Sequence, residues 1–295
     1  MAKRKLSERQ ELQKQASREM SVFKSDNMIQ QGRVTLSIQE QRCVLYAASR
    51  VKPTDSTFQE YTFDIKDFYA LCGIENDSYT RLKAIMVGLK SKCWFLEMDD
   101  GSESAVSWFE VLRTNKKSGK VTIGFHRDMM PYLLQLAEQG GYYTSYSLQY
   151  VLPMGSQYSP RLYELLKSYQ KNNREWFFDI DELKLRLDCQ NYKNFNDFKK
   201  RALEPAVKEI NQYTDLNVAW DVEKEGRKVT RVIFYMTDKS PNALLDAKRA
   251  GSEKMDGQMT IEEIMAQLPD EEDSVKVRFF RDNPPRRQKT PSEDI

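Results

Sequence analysis

The hydrophobic pattern divides the chain into helical and extended segments. Apolar residues three and four positions apart predict helices at 35–51, 78–90, 129–136 and 159–170. Ser37 and Ser159 are placed to cap the first and the last of these helices, and Pro160 suits a first helical turn. Runs rich in apolar and β-branched residues predict strands at 92–98, 104–113 and 121–125.

One order of elements occurs twice along the chain. A short strand ending in Phe-Asp-Ile is followed by an amphipathic segment, a longer helical stretch, and two strands joined by a polar, basic turn. In the first copy, Phe-Asp-Ile is 63–65, the two helical segments are 66–73 and 78–90, and the turn is 115–120. In the second copy, Phe-Asp-Ile is 178–180, the helical segments are 181–189 and 194–213, and the turn is 223–228. Strand, helix, helix and basic-tipped hairpin is the order of a winged helix, a relative of the helix-turn-helix motif.

The repeat predicts an α+β fold of two tandem winged-helix domains with a flexible N-terminal arm and a flexible C-terminal tail. The predicted bounds are 1–25 for the arm, 26–140 and 141–240 for the two domains, and 241–295 for the tail. A capping box and an apolar face predict a short helix at 261–268 within the tail. Pro205 lies inside the second long helix, and the sequence leaves open whether this is one bent helix or two.

Composition narrows the classes of protein. The chain is 40% hydrophobic and 31% charged, as in soluble globular proteins, and no apolar run predicts a signal peptide or a membrane span. A net charge of +2 means that attraction to nucleic acid must come from local basic clusters. The four cysteines form no Cys-x-x-Cys motif, which favours a reducing cytoplasm.

No catalytic constellation is present in the sequence. His126 is the only histidine, so a multi-histidine zinc site and the His-paired metal chemistry of replication nickases are excluded. Gly119-Lys120 is followed by valine and lies in a predicted hairpin tip, so it is no phosphate-binding loop. We therefore expect no catalytic residue, no metal site and no cofactor.

Side chains suited to DNA cluster where a winged helix would meet a duplex. Asn can pair with adenine, Arg or Lys can donate to guanine, and Lys neutralises phosphate. Candidates in the second long helix are Lys193, Asn194, Asn196, Lys199, Lys200 and Arg201, and those in the following wing are Lys224, Arg227 and Lys228. In the first copy, Arg81, Lys83, Lys116, Lys117 and Lys120 are candidates for phosphate contacts. The alternative is a solvated helix face with ordinary ion pairs, such as Lys200 with Glu204.

These residues resemble a known family. The segments 36–50, 61–65 and 198–216 are similar to the replication initiator proteins of iteron-containing bacterial plasmids, over roughly residues 25 to 238. The string Leu-Glu-Pro-Ala-Val-Lys-Glu-Ile-Asn at 203–211 is the most specific part. The resemblance implies two winged helices, of which the C-terminal one reads direct repeats at the plasmid origin in the major groove. It implies that the N-terminal one contacts the DNA backbone and mediates dimerisation.

The resemblance also implies partners. Monomers of the family open the origin with the host initiator and recruit the replicative helicase, whereas dimers often repress their own promoter. The second hypothesis is a tandem winged-helix transcriptional regulator without a replication role, and the third is a pair of protein-interaction modules that bind no DNA. The helix at 261–268 is expected either to contact a host replication factor or to dock on its own domain.

Overall fold

The computed structural model describes residues 20–33, 35–52, 55–65, 79–97, 101–115, 117–136 and 142–256. Its strands are β1 Ser21–Ser25, β2 Tyr61–Asp64, β3 Cys93–Glu97, β4 Glu103–Ser107, β5 Phe109–Asn115, β6 Lys120–Phe125, β7 Tyr143–Ser147, β8 Glu175–Asp179, β9 Leu216–Glu225 and β10 Lys228–Asp238. Its α-helices are α1 Asp26–Gln31, α2 Ile38–Ala48, α3 Tyr79–Lys90, α4 Met130–Leu133, α5 Ser159–Gln170, α6 Ile180–Arg186, α7 Phe195–Phe198, α8 Glu204–Tyr213 and α9 Pro241–Asp256. The predicted helical segments 66–73 and 261–268 lie outside the described residues.

The sequence repeat is also a structural repeat. Each copy contains a three-stranded antiparallel sheet of the same order, β2-β6-β5 in the first and β8-β10-β9 in the second. The aspartate of each Phe-Asp-Ile lies opposite a basic residue of the central strand, Asp64 opposite Lys120 and Asp179 opposite Arg231. Both pairs form an ion pair, with N···O distances of 3.3 and 2.9 Å. The prediction of two tandem winged helices is confirmed.

The ends of the predicted domains are more ordered than the sequence indicated. Residues 21–25, predicted as part of a flexible arm, form β1, which pairs with β7 and buries Val22. The pairing joins segments on the two sides of the boundary predicted near 140, and that boundary stays a prediction. The predicted tail begins with α9, which buries Ala247 and Met255 and packs on α8. Its buried positions include Gly251, so its apolar signal in the sequence is weak.

Two predicted elements differ in detail. The predicted strand 104–113 is two strands, because Trp108 turns into the core between β4 and β5 and packs edge-on against Trp94, with ring centroids 4.9 Å apart. This break lets β4 pair with β3 while β5 pairs with β6. The predicted helix 129–136 is a single 3₁₀ turn, Arg127–Met129, followed by the four residues of α4.

The helix caps follow local hydrogen bonding. Ser37 caps α2 as predicted, in a full capping box with Glu40. Ser159 was predicted to cap α5, but Tyr158 occupies that position and Ser159 is the first helical residue. The reason is that the Ser159 hydroxyl donates to Glu209 Oε2 at 2.5 Å, and the same carboxylate accepts the backbone N–H groups of Gly155 and Ser156.

Helix α5 is buried on nearly all sides and carries buried charges as well as apolar residues. Lys24 Nζ on β1 lies 2.6 Å from Glu164 Oε1, and these side chains are only 3% and 5% exposed. The Tyr146 hydroxyl donates to the same carboxylate, and burial beside it raises the Tyr146 pKa well above its ordinary value. Arg161 donates to the carbonyl of Gly32 at 2.5 Å. Arg186 on α6 donates to the carbonyl of Gln31, also at 2.5 Å.

Gly32 is required because its backbone lies directly on a buried tryptophan ring. A Cβ at this position would come within 2.1 Å of Trp94, which is held in place by Trp108 and by the backbone pairing of Arg33 with Phe95. We expect Gly32→Ala to lower the free energy of unfolding by about 3 kcal/mol, the upper part of the usual range for overpacking. Urea unfolding measures this.

The matched control is Gly101→Ala, which adds the same methyl group in open space. Gly101 has a positive φ of 78°, so alanine there is strained by about 1–2 kcal/mol but meets no neighbouring atom. An equal or smaller loss for Gly32→Ala than for Gly101→Ala would contradict the assigned clash.

Candidate nucleic-acid interface

The helix expected to meet DNA is one continuous helical stretch, 195–213, with a π turn in its middle. α7 and α8 are joined by the π turn Lys199–Leu203, where the backbone N–H of Glu204 donates to the carbonyl of Lys199, five residues earlier. Pro205 follows immediately and has no N–H to give to the helical ladder. The sequence left open whether this is one bent helix or two. In the structure it is a single helical stretch with a widened turn.

The π turn aligns the two halves of this helix on the core. Phe198 and Ile210 are both fully buried, although around a regular α-helix they would point about 120° apart. A π turn absorbs about one extra residue, so both side chains face the same core. On the opposite side, Asn196, Lys200 and Lys208 are exposed. The π turn therefore keeps these three exposed polar residues on one side of the helix.

The structure separates the candidate side chains of this helix into free and occupied ones. Lys193, Asn196, Lys200 and Arg201 are exposed, and Lys200 and Arg201 form no ion pair among the residues that the structure describes. Lys199 contacts Glu204 at 3.4 Å and lies 5.5 Å from the centroid of the Trp220 ring. The expected alternative pairing of Lys200 with Glu204 is therefore made by its neighbour.

Asn194 has a structural role in addition to its predicted role in DNA binding. It is the N-cap of α7, and its Oδ1 accepts the backbone N–H of Asp197 at 2.8 Å. Its Nδ2 donates to the Asp197 carboxylate at 2.5 Å. Base pairing by Asn194 would require these bonds to be exchanged, so Lys200 and Arg201 are better placed as readers.

The wing of the second copy is a tight hairpin with a basic tip. Glu225 pairs with Lys228, which leaves Gly226 and Arg227 as the two turn residues, and Gly226 has the positive φ of 62° that such turns need. The candidates Lys224, Arg227 and Lys228 are all exposed. Three cations are thus presented together at the end of β9 and β10.

In the part of the chain that the structure describes, the first copy presents fewer unpaired candidate cations than the second. Lys83 on α3 and Lys117 in the turn after β5 are exposed, whereas Lys120 pairs with Asp64. Arg81 lies on α3. Lys116 lies outside the described residues. Among the first-copy candidates whose side chains the structure describes, Lys83 and Lys117 are thus exposed and placed for contacts to the DNA backbone.

Two family descriptions match successive parts of the chain. "Initiator Replication protein, WH1" matches residues 21–167, and "Initiator Rep protein, WH2" matches residues 179–236. Together they span more than half of the chain. It belongs to the initiator Rep family. The matched WH2 segment ends before α9, so this helix lies outside both matched segments.

Individual relatives of this initiator Rep chain come from Escherichia coli. "PI protein" is 28% identical over 155 residues, which are 48% of this chain and 51% of the relative. "Replication initiation protein" is 31% identical over 128 residues, 40% of this chain and 37% of the relative. The chain thus matches about half or less of the length of these relatives.

The solved structure of Pi initiator protein in complex with iteron DNA has the same fold as this initiator Rep chain. The two superpose with a TM-score of 0.63 over 76% of this chain and 99% of that one, at 23% sequence identity. At that identity the likeness establishes the fold.

Within the described ranges, no group of three or more His, Cys, Asp or Glu side chains is arranged to hold a metal ion. None of the helices within those ranges is both long and apolar enough to cross a bilayer.

Proposed function

We propose that the chain is a plasmid replication initiator that binds direct repeats in duplex DNA at an origin and performs no chemistry of its own. The observation that carries the proposal is the joint exposure of Lys200 and Arg201 on the long helix and of Lys224, Arg227 and Lys228 on the adjoining wing. In winged helices the long helix enters the major groove, where Arg and Lys read guanine. Membership of the initiator Rep family supports the proposal.

The finer parts of the proposal concern the roles of the two copies and the partners. The second copy, within 141–240, reads bases, while the first, within 26–140, contacts phosphates through Lys83 and Lys117 and mediates dimerisation. Monomers act at the origin with the host initiator and the replicative helicase, and dimers repress the chain's own promoter. The protein acts in the bacterial cytoplasm on plasmid DNA. The Pi initiator protein, which is bound to iteron DNA in its solved structure, supports duplex binding here.

The deciding experiment is selection of bound duplexes from a random library with the full chain at physiological salt, followed by sequencing. A recurring site about two helical turns long is expected, because two winged helices in tandem span that distance. A pool without a recurring site would leave the chain with backbone binding only. Negligible affinity at low salt would favour the protein-interaction hypothesis.

Replication and regulation are separated by a second assay. The gene is introduced on a DNA that carries the selected repeats but no other origin. Maintenance of that DNA is expected for an initiator, whereas binding without maintenance would favour a transcriptional regulator.

The wing is expected to bind without specifying sequence. Lys228→Ala should weaken binding to selected and random duplexes by similar factors, because a phosphate contact carries no base information. It should also flatten the dependence of log K on log salt by about one unit. Titrations at several salt concentrations measure both effects. Lys52→Ala removes an equally exposed lysine outside the hairpin and should change neither. A loss confined to the selected site would contradict the wing's assigned role.

A further inference from the structure

The outer face of the β8-β10-β9 sheet carries an exposed apolar cluster. Phe177 and Tyr235 are 51% and 42% exposed. Phe177 lies opposite Ile233, and Tyr235 lies opposite Ala219. Side chains alternate between the two faces of a strand, so these four residues are neighbours on one face.

Carboxylates surround this cluster. Glu175 lies beside Tyr235, Asp221 lies beside Ile233, and Asp179 and Glu223 lie on either side of Arg231. All four are exposed. Arg231 is already engaged, because it pairs with Asp179 at 2.9 Å and with Glu223 at 3.3 Å and lies 4.7 Å from the centroid of the Phe177 ring. Four carboxylates against one guanidinium leave the face clearly negative.

This face is unsuited to DNA. Its carboxylates would repel phosphates, and it lies on the side of the sheet away from the helices. The opposite face carries Val232, Phe234 and Met236, which are fully buried against the core. Lys200 and Arg201 belong to the helical layer on that buried side, so a duplex bound there would leave the outer face open.

We propose that the outer face of this sheet, called the acidic sheet face and formed by Phe177, Ile233, Tyr235 and Ala219 within the four carboxylates, binds a protein partner. The partner presents an apolar side chain surrounded by Lys or Arg. An apolar centre with a polar rim is the usual arrangement of a protein interface, and the rim charge selects a partner of the opposite sign. A second copy of the same face is disfavoured, because an isologous contact would place carboxylates against carboxylates.

The proposal goes beyond duplex reading and holds whether or not the chain binds repeats. It predicts that DNA and the basic partner bind at the same time, since they use opposite sides of the second copy. A partner bound to the acidic sheet face would therefore be brought to the DNA site that the long helix occupies.

The test is selection of a phage-displayed library of random dodecapeptides against the full chain, with the strongest binders then synthesised and titrated. Peptides rich in Lys or Arg around an aromatic or aliphatic residue are expected. Phe177→Ser combined with Tyr235→Ser should weaken them at least about tenfold, because exposed aromatics at an interface centre usually carry much of the affinity. Glu175→Gln should weaken peptide binding by a smaller factor than the double variant does. Its effect should be larger at low salt than at high salt.

The matched control is Val87→Ser combined with Leu245→Ser, which removes two exposed apolar residues located elsewhere. This control variant should leave peptide binding unchanged. A cooperative thermal unfolding transition in both double variants shows that they are folded. The proposal is overturned if no peptide is enriched or if the enriched peptides are acidic. It is also overturned if substitutions at Phe177, Tyr235 and Glu175 leave the affinity for the peptides unchanged. Self-association in sedimentation that the Phe177 and Tyr235 variant abolishes would also overturn it, in favour of a second copy as the occupant.

Discussion

Replacing Glu164 by alanine is expected to lower the free energy of unfolding by about 3–5 kcal/mol, the usual cost of leaving a buried charge without its partner. Lys24 lies 2.6 Å from Glu164 and has almost no contact with solvent. Without the carboxylate, the Lys24 ammonium would be held in the core opposite no anion, and the Tyr146 hydroxyl would lose its acceptor. Urea unfolding monitored by tryptophan fluorescence measures the loss.

The pH dependence reports on the buried cations beside Glu164, which are Lys24 and Arg161. Burial already lowers the Lys24 pKa from 10.5, while Glu164 partly restores it. In Glu164→Ala the folded chain therefore binds the Lys24 proton less well than the unfolded chain does. Stability rises with pH wherever the unfolded state binds more protons, so the variant should regain stability as pH rises from neutral toward 10.5.

The control replaces both charges. Lys24→Met combined with Glu164→Leu removes the buried pair altogether, and such replacements are often neutral or stabilising. We expect this double variant to be much closer to the wild type than Glu164→Ala and to have a weaker pH dependence, because only Arg161 then remains without the carboxylate. A Glu164→Ala variant with unchanged stability, or with stability that falls from neutral pH upward, would refute the assigned role of the pair.

Combined substitution of Lys200 and Arg201 by alanine is expected to weaken binding to the selected duplex by about 2–6 kcal/mol, or roughly thirtyfold to ten-thousandfold. Each side chain contributes about 1–3 kcal/mol if it contacts a base edge. Both are exposed and make no ion pair among the described residues, so neither has a structural bond to lose. Competitive titration against selected and random duplexes measures the change.

Lys208→Ala is the matched control for the helix. Lys208 is exposed on the same side of the long helix, two turns beyond Lys200, where the helix should have left the groove. Its loss should reduce affinity slightly and for all duplexes alike. Equal losses of affinity for selected and random DNA in the Lys200 and Arg201 variant would show that the long helix does not read bases. The proposal for the acidic sheet face would still stand.

Elements with strong periodicity were predicted well from the sequence. The helix 78–90 and the helix 159–170 have almost the predicted bounds, because their apolar stripes are long and bounded by polar residues. The repeat itself was visible because each Phe-Asp-Ile buries its phenylalanine and places its aspartate at the strand end. Local pattern and tertiary pairing agree at these positions.

What the sequence could not reveal depends on contacts between distant residues. The π turn is needed because Phe198 and Ile210 must reach one core, and periodicity over a single turn cannot show that. Ser159 has the composition of a cap, but Glu209, far along the chain, takes its hydroxyl. The acidic sheet face was missed because its members come from three strands that are brought together only by their register.

At the end of α1, Arg161 donates to the main-chain carbonyl of Gly32 and Arg186 donates to that of Gln31. Arg186 also donates to the side-chain Oε1 of Gln31 at 3.2 Å. A carbonyl is present whatever residue occupies the position, so the two main-chain bonds do not depend on the side chain at 31, whereas the side-chain bond requires an acceptor there. Over evolutionary time, residue 31 itself can therefore change with the loss of one bond, while the main-chain attachment to the arginines of α5 and α6 persists.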